Sequence, residues 1–231
     1  MSDPLIIHLE NLNAKMPALS AAESTRILAQ TKTWIASDYA GFRKILDRGS
    51  KEYPHFAAIQ ALVEKHKKGA TGKSILHVVV LGTGGSSLGG ETIIRALHSN
   101  ASPLKFYFLD NNDPEFYADQ LKALPLEETL FYVVSKSGKT PETISQFLVA
   151  CDSLKKAVSK DWAKHIVLCT DPQKGDLRAL VGIYGFDCPN TPSTVGGRFS
   201  ALPAVGLLPD AFARLSMEKF LEGAAWMSQQ C

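Results

Sequence analysis

Between Ile75 and Thr170 the chain alternates short, wholly apolar runs with longer stretches that have one apolar face. "ILHVVVLG", "LKFYFLD", "TLFYVVS" and "HIVLCT" are rich in β-branched and aromatic residues and show no apolar–polar alternation. That pattern predicts strands buried on both faces, because a strand with one wet face would alternate. Between and after them, "SLGGETIIRALHS", "DPEFYADQLKAL", "TPETISQFLVACDSLKKAVS" and "KGDLRALVGIYG" have the helical period. Strand and helix thus alternate, which predicts right-handed crossovers and a parallel sheet covered on both sides. A fifth short strand is expected at "GFDCPN". The fold class that follows is α/β, a three-layer αβα domain with a five-stranded parallel sheet, preceded by N-terminal helices.

The flanks read differently. "SAAESTRILAQTKTWIAS" opens on Ser20 with Glu23 three residues later, the spacing of a capping box. "YAGFRKILDRG" and "PHFAAIQALVEKHKKGATG" follow as further helices, the second ending on lysines and a glycine. Past Gly196 and Gly197 the chain returns to helices through "FSALPAVGLLP" and "SMEKFLEGAAWMSQQ". The expected division is a helical segment over 1–70 and an α/β domain with C-terminal helices over 71–231.

Composition narrows the function classes. The 231 residues are 45% hydrophobic and 21% charged, enough to bury a full core, and the net charge of +2 gives no bulk attraction to nucleic acid or membrane. The 6 histidines and 4 cysteines show no metal-ligand spacing, so no metal is expected, and the cysteines read as free thiols in a reducing compartment. The first residues, "MSDPLIIHLENLNAKM", lack a basic region followed by an apolar one, and no apolar run approaches the roughly 20 residues of a membrane span. A cytoplasmic location is the expectation.

In a parallel sheet, ligands bind beyond the carboxyl ends of the strands. "GTGGSSLGG" offers Gly82, Gly84 and Gly85 where backbone amides must approach a ligand, with a helix start at Ser86. A dinucleotide fingerprint would need a third glycine where Ser87 stands, although Asp110 at the end of the second run suits a ribose. "VVSKSGKTPET" is more specific. Thr140 and Pro141 form a helix start, and Ser135, Lys136 and Ser137 bring hydroxyls to its positive end. A phosphate needs several donors at once, and this turn supplies them. Val133 stands where a nucleoside-triphosphatase loop requires glycine, so that loop is excluded.

With both turns in place, the chain resembles the phosphoglucose isomerase family of sugar isomerase (SIS) domains. "VLGTGGSSLGGETI" is similar to the family's first glycine turn and "VVSKSGKTPETI" to its phosphate loop. "TVGGRFSALPAVGLLP" is similar to its V-G-G-R-[FY]-S signature, and "FLEGAAWM" to the segment that follows. The resemblance covers about residue 75 onward. It implies interconversion of glucose 6-phosphate and fructose 6-phosphate, with Ser135, Lys136, Ser137 and Thr140 on the phosphate and Gly84, Gly85 and Ser86 lining the sugar end. Arg198 would stabilise the enediolate oxygen, a role that suits a permanently charged guanidinium. Glu142 falls on the family's loop glutamate. The resemblance implies a small-molecule sugar phosphate as ligand, no cofactor, no metal, no nucleic acid or membrane partner, and a homodimer for the full-length enzyme.

The family's base glutamate, ring-opening histidine and late lysine lie past a second SIS domain, which these residues do not reach. The expectation is an N-terminal half that binds phosphate but does not isomerise it, with Phe220, Leu221 and Trp226 of the last helix needing cover. A non-catalytic sugar-phosphate sensor of the same fold is the alternative. A dinucleotide oxidoreductase rests only on Gly82, Gly84 and Asp110.

Overall fold

The computed structural model describes residues 18–37, 40–50 and 53–230. The expectations about the first sixteen residues and about Cys231 lie outside them. Contacts divide the chain into two units, Met1–Tyr39 and Ala40–Cys231.

The first unit holds helix α1, Ala21–Ala36. Its capping box forms as the spacing requires: Glu23 N–H donates to Ser20 Oγ at 3.2 Å, and Ser20 N–H donates back to Glu23 Oε2 at 2.9 Å. The Ser20 hydroxyl, which donates to Glu23 Oε2 at 2.6 Å, and then the Ser20 N–H hold the Glu23 carboxyl below its usual range.

The second unit carries α2 (Gly41–Lys44), α3 (Phe56–Lys65), β1 (His77–Leu81), α4 (Leu88–Leu97), β2 (Lys105–Leu109), α5 (Pro114–Ala123), β3 (Thr129–Val134), α6 (Pro141–Val158), β4 (Ile166–Cys169), α7 (Asp176–Tyr184), α8 (Ala204–Phe212) and α9 (Met217–Gln230). The strands are all parallel in the order β2-β1-β3-β4. Alternate residues sort to opposite faces. Val78, Val80, Leu130, Tyr132 and Val167 meet α3, α8 and α9, while Val79, Leu81, Phe131, Val133 and Leu168 meet α5, α6 and α7. Burial on both faces is why the strand sequences do not alternate.

The sheet has four strands rather than the expected five. Residues 186–191 lie in the fifth position and keep a parallel register with β4, but only as bridges, Val167 to Asp187 and Thr170 to Asn190. Leu168 N–H donates to the Asp187 carbonyl and Thr191 N–H to the Thr170 carbonyl, both at 2.9 Å. Pro189 stands between these rungs and has no N–H for the next one, so the ladder is interrupted. Side chains hold the segment instead. Asp187 accepts from His66 Nε2 and Lys65 Nζ of α3, each at 2.8 Å. Burial works to raise the Asp187 carboxyl, and those hydrogen bonds outweigh it and hold it below its usual value.

The last helix is covered on one side by this unit's own core: Leu221 is buried and Phe220 packs against the same cluster, whereas Trp226 remains exposed. Cys151 and Cys169 are buried and Cys188 half-buried, all as free thiols. No helix among the described residues is long and apolar enough to cross a membrane.

Candidate functional site

The strand order reverses direction between β1 and β3, and at that point the crossovers leave on opposite faces of the sheet. A crevice therefore opens beyond the carboxyl ends of these two strands. The turns at its rim are those the sequence singled out: Gly82–Ser87 after β1 and Ser135–Thr140 after β3.

The turn after β3 is built around Ser135, which is buried and whose N–H donates to the Cys169 carbonyl at 3.0 Å. Its Oγ lies 2.9 Å from Thr140 Oγ1 and 3.5 Å from Ser137 Oγ, so the hydroxyls form one cluster. Ser137 Oγ also accepts from the Lys139 N–H at 3.2 Å. Thr140 occupies the N-cap position of α6, but its side chain makes no capping bond. A threonine at the start of a helix ordinarily caps it through the side chain, but the Thr140 hydroxyl turns to Ser135 instead of the helix amides. The first turn of α6 therefore keeps amide donors that no side chain of its own has taken.

The outer side of this turn is clamped by the chain after β4. Asp171 N–H donates to the Lys136 carbonyl at 3.2 Å, and Asp176 and Leu177 N–H donate to the Gly138 carbonyl at 3.1 and 3.2 Å. Gly175 makes this approach possible. Its φ is +99°, and a Cβ there would overlap the Ser137 carbonyl.

On the β1 side, Gly84 has φ of +55°, and Gly84–Ser86 forms a single 3-10 turn. Gly85 faces a second 3-10 turn, Gly197–Phe199, at backbone distance, and a Cβ on it would overlap the Gly197 carbonyl. Buried Ser200 ties the two turns together, its Oγ lying within hydrogen-bond reach of the carbonyls of Gly85 and Gly197 with one proton to share between them. Arg198, in the middle of the second turn, is exposed and makes no hydrogen bond or ion pair among the described residues.

Lys136 connects the turn after β3 to the Arg198 segment. Its Nζ donates to the Ser193 carbonyl at 2.8 Å and the Val195 carbonyl at 2.7 Å. Gly84, Gly85, Ser86, Ser135, Lys136, Ser137, Thr140 and Arg198 thus lie on turns that touch or are bonded to one another. Glu142 is exposed in the first turn of α6.

Of the five buried side-chain oxygens without a hydrogen-bond partner among the described residues, four gather near the same edge. Ser87 Oγ, Thr143 Oγ1, Gln146 Oε1 and Thr170 Oγ1 lie in the turns after β1 and β4 or in the first two turns of α6. Unpartnered buried oxygens are costly, so this edge is more polar than packing alone would choose. Ser200, Gly175 and Thr170 escaped the sequence reading. Ser200 was visible in "VGGRFS" and Gly175 in "TDPQKG", but their partners are distant in the chain.

The chain is similar in sequence and fold to known proteins. The family profile described as Phosphoglucose isomerase matches residues 50–231. Glucose-6-phosphate isomerase of Carboxydothermus hydrogenoformans is 43% identical over 165 residues, spanning 67% of this chain and 35% of that protein. The protein of the same name from Acetivibrio thermocellus is 35% identical over 213 residues, spanning 87% of this chain and 46% of its own length. Among solved structures, a hypothetical protein of Thermus thermophilus superposes with a TM-score of 0.68 at 31% identity, covering 87% of this chain and 48% of that one. A glucose-6-phosphate isomerase from Chlamydia trachomatis gives 0.60 at 26% identity, covering 80% and 36%. The chain spans 35% of the length of the first curated relatives it matches. The profile covers most of the sequence and includes all the turns described above, and the chain belongs to the phosphoglucose isomerase family.

Proposed function

We propose that this chain supplies the phosphate-binding half of an aldose–ketose isomerase that interconverts glucose 6-phosphate and fructose 6-phosphate. In this reading residues 71–231 form the SIS domain, with the helices of 1–70 as an accessory segment. The supporting observation is the meeting of three turns at the β1/β3 switch point: a hydroxyl cluster at a helix start, a glycine turn, and an arginine without a partner among the described residues. Ser135, Ser137 and Thr140 hold the phosphate through hydroxyls and the free amides of α6, with the Lys136 charge adding to the field. Gly84, Gly85 and Ser86 bound the sugar end. Arg198 meets the negative charge that grows on the enediolate oxygen. A second SIS domain would bring the carboxylate base and the ring-opening histidine. A cytoplasmic homodimer is the form in which we expect the whole enzyme to work.

Titration calorimetry with inorganic phosphate and with fructose 6-phosphate tests the site. Both should bind, and Thr140→Ala should weaken both by roughly tenfold, the scale of one hydrogen bond to a charged group. Because the Thr140 hydroxyl does not cap α6, its loss should lower the melting temperature only through the buried Ser135 hydroxyl that it partners, a cost of about 1 kcal/mol. Unaltered affinity in Thr140→Ala would remove the hydroxyl cluster from the site.

A further inference from the structure

Lys136 sits in the phosphate turn, yet the two hydrogen bonds of its ammonium reach away from that turn. They go to the carbonyls of Ser193 and Val195, at 2.8 and 2.7 Å. Those residues lead directly into Gly196, Gly197 and Arg198. Hydrogen bonds from an ammonium to carbonyls are among the stronger neutral–charged contacts, and these two are short. The Lys136 backbone is fixed as well, its carbonyl accepting from Asp171 N–H. The side chain is half-buried, so it is not free to swing into solvent.

The segment that Lys136 grips is otherwise held on other sides. Gly41 of α2 lies against Thr194, where a Cβ would come within 2.5 Å of the Thr194 carbonyl. Phe42 stacks on Phe199 with ring centroids 4.3 Å apart. Ser200 binds the segment to the β1 turn. Of these supports, Lys136 alone comes from the phosphate turn. From this arrangement we infer that Lys136 is a positioning residue, whose ammonium couples occupancy of the phosphate turn to the placement of the Arg198 turn.

The inference deepens the proposed function and rests on it. A phosphate that orders residues 135–140 would fix the Lys136 stem and, through its ammonium, the carbonyls at 193 and 195. Arg198 would then be stiffened by the end of the substrate that does not react. Binding energy from a remote group would in this way be spent at the reacting carbons.

Amide hydrogen exchange of the whole chain, with and without saturating inorganic phosphate, reads this coupling. In the wild type, phosphate should slow exchange both at residues 138–144 and at 195–200. In Lys136→Met the first response should persist while the second is lost, and basal exchange over 195–200 should rise by roughly tenfold, as for a lost charged hydrogen bond. Lys136→Arg, which keeps donors and charge, should restore the second response. A second response that survives in Lys136→Met overturns the inference. So does a wild type that is protected at 138–144 and unchanged at 195–200, a result that requires no variant to fold. Failure of the proposed function looks different, because phosphate would then protect neither segment. In that case the coupling falls with it, even if Lys136→Met still loosens 195–200.

Discussion

Asp210 shows how one side chain can set the pH response of the whole unit. It lies on α8, a helix buried along its length, and Asp210 Oδ1 has no hydrogen-bond partner among the described residues. Burial without a compensating charge pushes its carboxyl up to about 7 from 3.8. A carboxyl with a folded value above its unfolded one stays protonated longer in the native state. Its stability contribution is therefore complete below pH 3.8, falls as pH rises from there toward about 7, and levels off above that. The cost of ionising it is on the order of a few kcal/mol, at about 1.4 kcal/mol for each unit of displacement. Asp210→Asn should melt higher than the wild type at pH 8, and the difference should shrink by pH 5. Thermal melts across that range check it; a difference that does not change with pH would mean that Asp210 is not the titrating group. The sequence places Asp210 inside an apolar stretch but does not show that it lacks a partner.

At the scale of elements, α7 is the informative case. Its first amides, on Asp176 and Leu177, donate to the Gly138 carbonyl of the turn after β3 rather than to a capping side chain. The helix start and the turn therefore stabilise each other, with Gly175 as the residue that allows them to meet. Gly175→Ala should disturb both: a side chain at φ of +99° is strained by about 1–3 kcal/mol, and its Cβ would overlap the Ser137 carbonyl. The expected outcome is a lower melting temperature together with weaker phosphate binding. A variant that melts lower yet binds phosphate normally would show that the clamp does not shape the turn. The element pattern in the sequence located the strands and helices well, including the Ser20–Glu23 box. It placed a fifth strand where Pro189 allows only bridges, since composition shows an extended segment but not whether each rung has its donor.

At the scale of the whole molecule, the prediction concerns turnover. We expect these 231 residues alone to bind sugar phosphate weakly and not to isomerise it. The phosphate and glycine turns are assembled, whereas the proton-moving groups are assigned by the family resemblance to a second SIS domain. General acid–base groups each contribute roughly 10²–10⁴-fold, so their loss should bring conversion below detection. Purified chain is assayed with fructose 6-phosphate beside an Arg198→Ala control that exposes host enzyme. Robust conversion that disappears in the control would place the base within these residues.

The sequence by itself determined the layer architecture, the parallel strands, the helix starts and the turns that carry chemistry. These depend on local period and on residue type at neighbouring positions, and both are written along the chain. It determined the family too, because "VGGRFS" and "SKSGKTPET" are contiguous motifs. Only the tertiary structure decided that Thr140 bonds Ser135 rather than its own helix, and that Lys136 reaches Ser193 and Val195. It also decided that Gly85 is small for the sake of Gly197. A hydroxyl or an ammonium has several partners within reach of its own turn, and local sequence does not rank them. The sheet order brings the turns after β1, β3 and β4 to one edge, and the ranking is settled by which distant backbone groups arrive there unpaired.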